Sequence, residues 1–406
     1  MDPVANPYSP GAGIEPDVLV GRDPQLAAFQ VLLKRLIAGR SEQSMIITGL
    51  RGVGKTVLLE RFRAEAIGLD WVVVELEVSK HDDARFRSDL GAKLRTALLE
   101  VSPRARWSDK ARRAAGVLRS FTLTAGSDGG FSIGYDAEPL EGYGDHGILA
   151  LDITDVLTSL GEAAQDVGRG VVLLFDELQF LSTAQLEALI SGLHKCAQRR
   201  LPITLVGAGL PQIPELAGDA KSYAERLFTF PTIDFLSPDD ARLALSEPAA
   251  VAGAAWEPAA LDVAAEVTGG YPYFVQELGY AVWNTSEGPG IAADDVSAAV
   301  DLYEAKLDSS FFRVRLDRTT ELQRAYLRAM AELGPAPAKA ADVAALLNRA
   351  STQVGPTRAE LIDMGLLFTP QHGYAQFTVP HFDQFMKRAM PQLEVPPVRV
   401  RSRGRD

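Results

Sequence analysis

SMIITGLRGVGKT, residues 44–56, decides how this chain is read. Its first five residues are a short apolar stretch suited to a buried strand. Gly49-Leu50-Arg51-Gly52-Val53-Gly54-Lys55-Thr56 follows, and then an amphipathic segment over residues 57–66. The order is strand, glycine loop, helix. The spacing G-x-x-x-x-G-K-T lets successive backbone N–H groups wrap phosphate oxygens, while the start of the helix adds favourable partial charge. Gly49, Leu50, Arg51, Gly52, Val53, Gly54, Lys55, Thr56 and Val57 are therefore the predicted nucleotide contacts. Lys55 is placed to neutralise the outer phosphates, and the Thr56 hydroxyl to supply an oxygen to Mg²⁺. ATP or ADP with Mg²⁺ is the expected ligand set.

Further along, residues 171–175 (VVLLF) form a continuous apolar run, as expected of a central parallel strand covered on both faces, and the run ends in Asp176-Glu177. This is a Walker B signature. Carboxylates at the C-terminal end of such a strand lie beside the crevice where open α/β sheets bind ligands. Asp176 would hold Mg²⁺, and Glu177 would orient or deprotonate the attacking water, the step that separates hydrolysis from binding. Three more strands are predicted, at 71–77, 203–207 and 228–235, the last interrupted by Pro231.

With one strand between the two motif strands, the chain resembles the additional-strand class of P-loop ATPases, which implies an α/β fold with a parallel sheet of order 5-1-4-3-2. Leu19-Val-Gly-Arg-Asp23 with Leu26 and Phe29 resembles the entry motif of initiator-type AAA+ and archaeal-type STAND ATPases. That resemblance brings Arg22 near the adenine. It also puts residues 203–207 at the sensor 1 position, where Val206-Gly207-Ala208-Gly209 carries no polar group, which implies slow turnover. Arg226, in Tyr223-Ala-Glu-Arg-Leu-Phe228, matches the arginine finger that acts on a neighbouring subunit, which implies a homo-oligomer. The alternative is an ordinary surface pair with Glu225 or another acid. Thr268-Gly-Gly-Tyr-Pro272 with Tyr273 to Glu277 resembles the STAND lid motif, with Pro272 at the nucleotide. The usual AAA+ lid arginine is absent, which favours a switch over a motor.

The rest of the chain supports a modular reading. Ser237-Pro238-Asp239-Asp240 is a good helix start, and helical patterns run on to about residue 310. Residues 102–148 exceed a simple crossover. Within them residues 121–124 and 131–135 read as a β-hairpin, preceded by a basic segment of Arg104, Arg106, Lys110, Arg112, Arg113 and Arg119 that would suit an acidic partner or a solvated face. From residue 321 three helical patterns and a hairpin at 367–379 predict a winged helix. Expected units are an N-terminal tail 1–16, an ATPase core 17–236 with insertion 102–148, an all-α helical lid 237–318, a winged helix 319–390 and a basic tail 391–406.

Composition bounds the function. The 406 residues are 47% hydrophobic and 23% charged, and no apolar run approaches the ~18 residues of a membrane span. With no secretory pattern over residues 1–13, the expectation is a cytoplasmic protein. Cys196 stands alone and reads as helix packing. A net charge of −12 argues against binding nucleic acid through bulk charge. Residues 321–390 hold seven cations and six acids, a balance of +1. The leading reading is an ATP-dependent switch, and the alternative is a DNA-binding initiator, loader or regulator.

Overall fold

The computed structural model describes residues 1–11, 13–79, 82–103, 108–124 and 137–397. Its centre is a five-stranded parallel sheet built from β1 (Ser44–Thr48), β2 (Val72–Glu77), β3 (Val171–Asp176), β4 (Ile203–Gly209) and β5 (Phe228–Thr229), in the spatial order β2-β3-β4-β1-β5. The expected order is therefore observed. β1 pairs with β4 in the register Met45↔Val206, and β3 pairs with β4 in the register Leu173↔Leu205. β5 is shorter than the sequence pattern, because beyond Thr229 only an isolated bridge, Thr48↔Thr232, continues the edge past Pro231.

Alternation along each central strand sends side chains to two apolar layers. Met45, Ile47, Val172, Leu174, Val206 and Ala208 pack on one face. Ile46, Leu173, Phe175 and Leu205 pack on the other. The second layer is covered by the helices Asp83–Val101, Asp109–Leu123, Leu149–Asp166 and Thr183–Gln198. A buried ion pair links two of them, Arg87 Nη2 to Asp152 Oδ2 at 2.7 Å, with the Asp152 side chain fully enclosed.

One sequence expectation fails in this layer. Residues 121–123 belong to the helix Asp109–Leu123 and not to a strand. Ala114, Leu118 and Phe121 are all fully buried, and their spacing of four and three residues makes one helical face that outweighs the short alternation at 121–124. Ser108 caps the helix by accepting from Ala111 N. Residues 131–135 lie outside the described residues, as do Arg104 and Arg106. The other cations of the basic segment are engaged locally: Lys110 with Asp166, Arg112 with Asp109, Arg113 over the Tyr143 ring, and Arg119 on the Ala137 carbonyl.

The first layer continues into the C-terminal half. Helices Asp23–Ile37 and Lys55–Gly68 pack there with Pro238–Val251, Pro258–Thr268, Pro272–Thr285 and Ala293–Lys306. A two-stranded pair, β6 (Ala255–Trp256) and β7 (Gly290–Ile291), ties these helices together. Next comes a π-helical turn, Leu307–Phe312, running into Arg313–Leu316. The last unit comprises helices Glu321–Leu333, Ala340–Leu346, Ser351–Asp363 and Phe382–Ala389 with a small antiparallel sheet of β8 (Ala338–Lys339), β9 (Leu367–Phe368) and β10 (Tyr374–Phe377) in the order β8-β10-β9. No helix among the described residues is long and apolar enough to cross a membrane.

Residues 1–11 differ from the expected tail. Tyr8 is 1% exposed, donates to the Leu245 carbonyl at 2.5 Å and accepts from Trp256 Nε1 at 2.8 Å. Trp283 Nε1 donates to the Asp2 carbonyl, and Asn6 Nδ2 to the Tyr280 carbonyl. Its aromatic ring fills the space above Gly279, where a Cβ would lie 2.6 Å from Tyr8 Cδ1. Tyr8→Phe leaves a buried N–H and a buried carbonyl without this partner, so we expect a loss of about 1–3 kcal/mol of stability. Urea unfolding followed by tryptophan fluorescence reads it, and an unchanged midpoint would show that the segment does not pack there in solution.

Candidate nucleotide-binding site

β1 ends at Thr48 and the chain turns through Gly49–Gly54 into the helix Lys55–Gly68. Gly52 and Gly54 have φ of +77° and +95°, conformations that side chains other than glycine adopt at a cost. At Gly52 the space is also closed: a Cβ would lie 1.9 Å from the Tyr271 hydroxyl oxygen. That hydroxyl donates to the Arg51 carbonyl at 2.6 Å.

Lys55 is 7% exposed, and its Nζ donates to the carbonyls of Gly49 at 3.0 Å and Leu50 at 2.7 Å. Burial pulls its pKa down to about 8, opposed by Glu177 and Asp176 and reinforced by Arg51. Thr56 Oγ1 donates to Asp176 Oδ2 at 2.6 Å, and Glu177 N donates to Asp176 Oδ1 at 2.8 Å. Burial raises the Asp176 pKa, while these two donors lower it.

A hydroxyl and a carboxylate side by side are hard oxygen donors of the kind Mg²⁺ takes. Among the described residues no group of three or more His, Cys, Asp or Glu could hold a metal ion. Thr56 and Asp176 would therefore hold Mg²⁺ only with phosphate oxygens and water completing its shell.

Glu177 adopts a left-handed backbone, φ +57°, uncommon for a residue other than glycine. Its carboxylate accepts from Gln179 Nε2, and Gln179 Oε1 accepts from Leu210 N at 3.2 Å. The end of β4 has no polar side chain of its own, as read from the sequence. A polar group reaches it instead from the turn after β3. Nothing in the sequence pattern singles out Gln179.

Arg22 is buried and donates to the carbonyls of Val53 and Asp234, both at 2.9 Å. Burial lowers its pKa, with Asp240 and Asp234 opposing. It lines the same cavity as the loop, but its bonds hold backbone. Pro272 opens the helix Pro272–Thr285 and also lines that cavity, about 440 Å³ in volume. Besides the cationic loop, its lining includes the apolar residues Pro10, Ile14, Leu19, Val20, Leu236 and Val275. The N-terminal segment is thus part of its wall, which the sequence did not indicate.

Arg226 stands apart. It is exposed, forms no ion pair among the described residues, and sits near Gln43, His194 and Tyr223. Phe228 pairs with Ser44, the first residue of β1, whereas the glycine loop follows the last. At roughly 3.3 Å per residue the length of β1 separates Arg226 from its own loop.

This strand, loop and helix, with an acid pair ending the next strand but one, makes the site of a P-loop nucleotide-binding ATPase. Residues 18–206 match the family model of the AAA ATPase domain. Residues 309–386 match a domain of unknown function. No curated protein matches the chain significantly in sequence. Among solved structures, a Walker-type ATPase of Pyrococcus abyssi is 15% identical, with 91% of this chain and 96% of that one covered at a TM-score of 0.57. That likeness is one of fold. The RuvB Holliday junction branch migration motor of Thermotoga maritima is 16% identical, covering 95% of this chain and 100% of that one at a TM-score of 0.46. The Orc1 protein of Aeropyrum pernix in complex with DNA is 16% identical, covering 92% and 94% at a TM-score of 0.43.

The depressed Lys55 pKa has a signed consequence. Between pH 8 and 10.5 the unfolded chain keeps a proton that the folded one has lost, so burying Lys55 costs stability below pH 8 and that cost fades as pH rises through the window. A phosphate beside Nζ would draw the pKa back up, so binding takes up a proton above pH 8. ATP affinity is expected to fall by up to about ten-fold per pH unit above 8, measured by titration from pH 7 to 9.5. A flat profile would show that no phosphate sits against Nζ.

Proposed function

We propose that this chain is an ATP-driven switch: it binds ATP with Mg²⁺ at residues 49–57, hydrolyses it slowly, and uses the nucleotide state to set the helices 237–318 and the C-terminal unit against the core. The observation that carries this reading is the bond from the Tyr271 hydroxyl to the Arg51 carbonyl. It fastens the first turn of a predicted lid helix to the phosphate loop, so a change in the loop must be felt by the lid. The apolar part of the lining suits a purine, and Leu19 and Val20 of the entry segment belong to it. Arg22 acts there by bracing Val53 and Asp234.

In the proposed reaction Lys55 and the loop N–H groups hold the outer phosphates, while Thr56 and Asp176 hold Mg²⁺, whose chemistry is to neutralise charge on the β- and γ-oxygens. Glu177 takes the proton of the attacking water. Gln179 holds the Glu177 carboxylate in the arrangement described, and the hydroxyl-free end of β4 fits slow turnover. Glu177→Gln should keep ATP and Mg²⁺ binding and lower hydrolysis by ~10²-fold or more, so that bound ATP accumulates. Asp176→Asn should instead shift the Mg²⁺ dependence as well as the rate. Phosphate release and Mg²⁺ titration separate the two. Wild-type turnover no higher than that of Glu177→Gln would remove hydrolysis from this reading.

Arg226 is proposed to act on a second copy of the chain. Its exposure, the absence of an ion pair among the described residues and the distance from its own loop support action in trans. Arg226→Ala should lower turnover only at concentrations where size analysis shows self-association, and an equal loss in a monomer would place its effect within the chain.

The C-terminal unit is proposed to be a winged helix used for packing and signalling. In this reading the helix Ser351–Asp363 would be the recognition helix, but Arg358 on it turns back to Thr369 Oγ1 and the Tyr374 carbonyl, and Glu360 accepts from Gln323. Those bonds engage the one cation of that helix. Turnover measured with and without duplex DNA tests the alternative of a DNA-binding ATPase.

A further inference from the structure

Four cations line the nucleotide cavity: Arg22, Arg51, Lys55 and Arg315. The only acid that lines it among the described residues is Glu177. Arg22 is occupied by backbone carbonyls, and Lys55 belongs to the loop motif. Arg51 and Arg315 remain. Arg51 Nε is buried and has no hydrogen-bond partner among the described residues. Arg315 is half-buried, donates from Nη1 only to the Phe311 carbonyl at 2.6 Å, and forms no ion pair among the described residues.

Arg315 is not placed there by chance of a loose side chain. The π-helical turn Leu307–Phe312 carries Ser309 and Ser310, whose hydroxyls donate to the Lys306 carbonyl. The wider turn brings Phe311 against Tyr273, ring centroids 4.8 Å apart, and edge-on to Phe274. The Arg315 guanidinium then lies over the Phe311 ring at 3.8 Å. A planar cation supported on an aromatic face is held in orientation with most of its N–H donors free. Burial lowers its pKa, and the neighbouring Arg51 lowers it further. Two guanidinium groups brought together in a cavity with one opposing carboxylate repel each other, and an anion between them offsets that repulsion.

Both arginines also touch the domain at residues 309–386. Arg315 is part of it. Arg51 packs against its Gly365, where a Cβ would lie 2.5 Å from Arg51 Nε. We infer that Arg315, on the helical turn where the lid helices run into the C-terminal domain, is a ligand of the terminal phosphate of the bound nucleotide, so that this junction counts phosphates directly. The inference rests on the nucleotide-binding reading above.

Affinities of fluorescent ATP, ADP and AMP, measured in Mg²⁺ at fixed salt for wild type, Arg315→Ala, Arg315→Lys and Arg318→Ala, test it. Loss of a charge-assisted hydrogen bond should weaken ATP by at least about ten-fold in Arg315→Ala, with AMP unchanged to within about two-fold. Arg315→Lys, which keeps charge but not the fork, should lie between. Arg318→Ala removes a nearby cation and should behave as wild type. ATP and AMP weakened equally, or ATP unchanged, would overturn the inference. Should Arg315→Ala not fold, the ATP-to-AMP ratio of Arg315→Lys decides in the same way. Wild-type protein that binds none of the three nucleotides, or binding that survives Lys55→Ala, would instead overturn the nucleotide reading itself.

Discussion

A single short approach organises this molecule: the Tyr271 hydroxyl lies on the glycine loop, 2.6 Å from the Arg51 carbonyl and directly above Gly52. Any side chain at position 52 would occupy the place of that hydroxyl. The glycine therefore serves two ends, the positive φ of the phosphate-wrapping turn and the docking of a helix more than two hundred residues away. Tyr271 itself is fully buried, packed edge-on against Phe235 and Phe274. Its position is set by the aromatic core of the helical region. Loop, helices 237–318 and C-terminal unit consequently share one packing problem.

The two faces of the sheet divide the work. One face is closed by a layer of helices in which no described residue lines the nucleotide cavity. The other face carries the glycine loop, the segment 1–11, the lid helices and the C-terminal unit in one continuous apolar cluster. Glu177 holds an uncommon left-handed backbone, and Gln179 ties its carboxylate to the end of β4.

Bulk charge and local charge point in opposite directions. The chain is strongly acidic, yet among the described residues the cavity collects four cations and one acid. Burial makes that collection costly, as the lowered pKa of Lys55 and of both Arg22 and Arg315 records. A polyanionic ligand with its own counter-charge is the physical partner such a cluster favours, and the basic segment at 104–119 is not, since its described members are already engaged with neighbouring acids, a ring and a carbonyl.

What the sequence determined by itself was local. Apolar runs of five or six residues marked β1 and β3, the glycine spacing marked the loop, Asp176-Glu177 marked the strand end, and Ser237 and Pro272 marked helix starts, because each depends on residues within a turn or a pleat of one another. The sheet order followed by resemblance to a known class, and the structure has it. Tertiary structure alone decided the rest. Tyr8 on Leu245, Tyr271 on Arg51 and Arg315 in the cavity are contacts across chain separations that no periodicity records, the first two spanning 237 and 220 residues. Gln179 lies close in sequence to Glu177 yet acquires its role only because β4 ends beside it. The misread strand at 121–124 has the same origin: a two-residue alternation was visible locally, but the helical face of Ala114, Leu118 and Phe121 counted for more once a layer of helices was there to bury it.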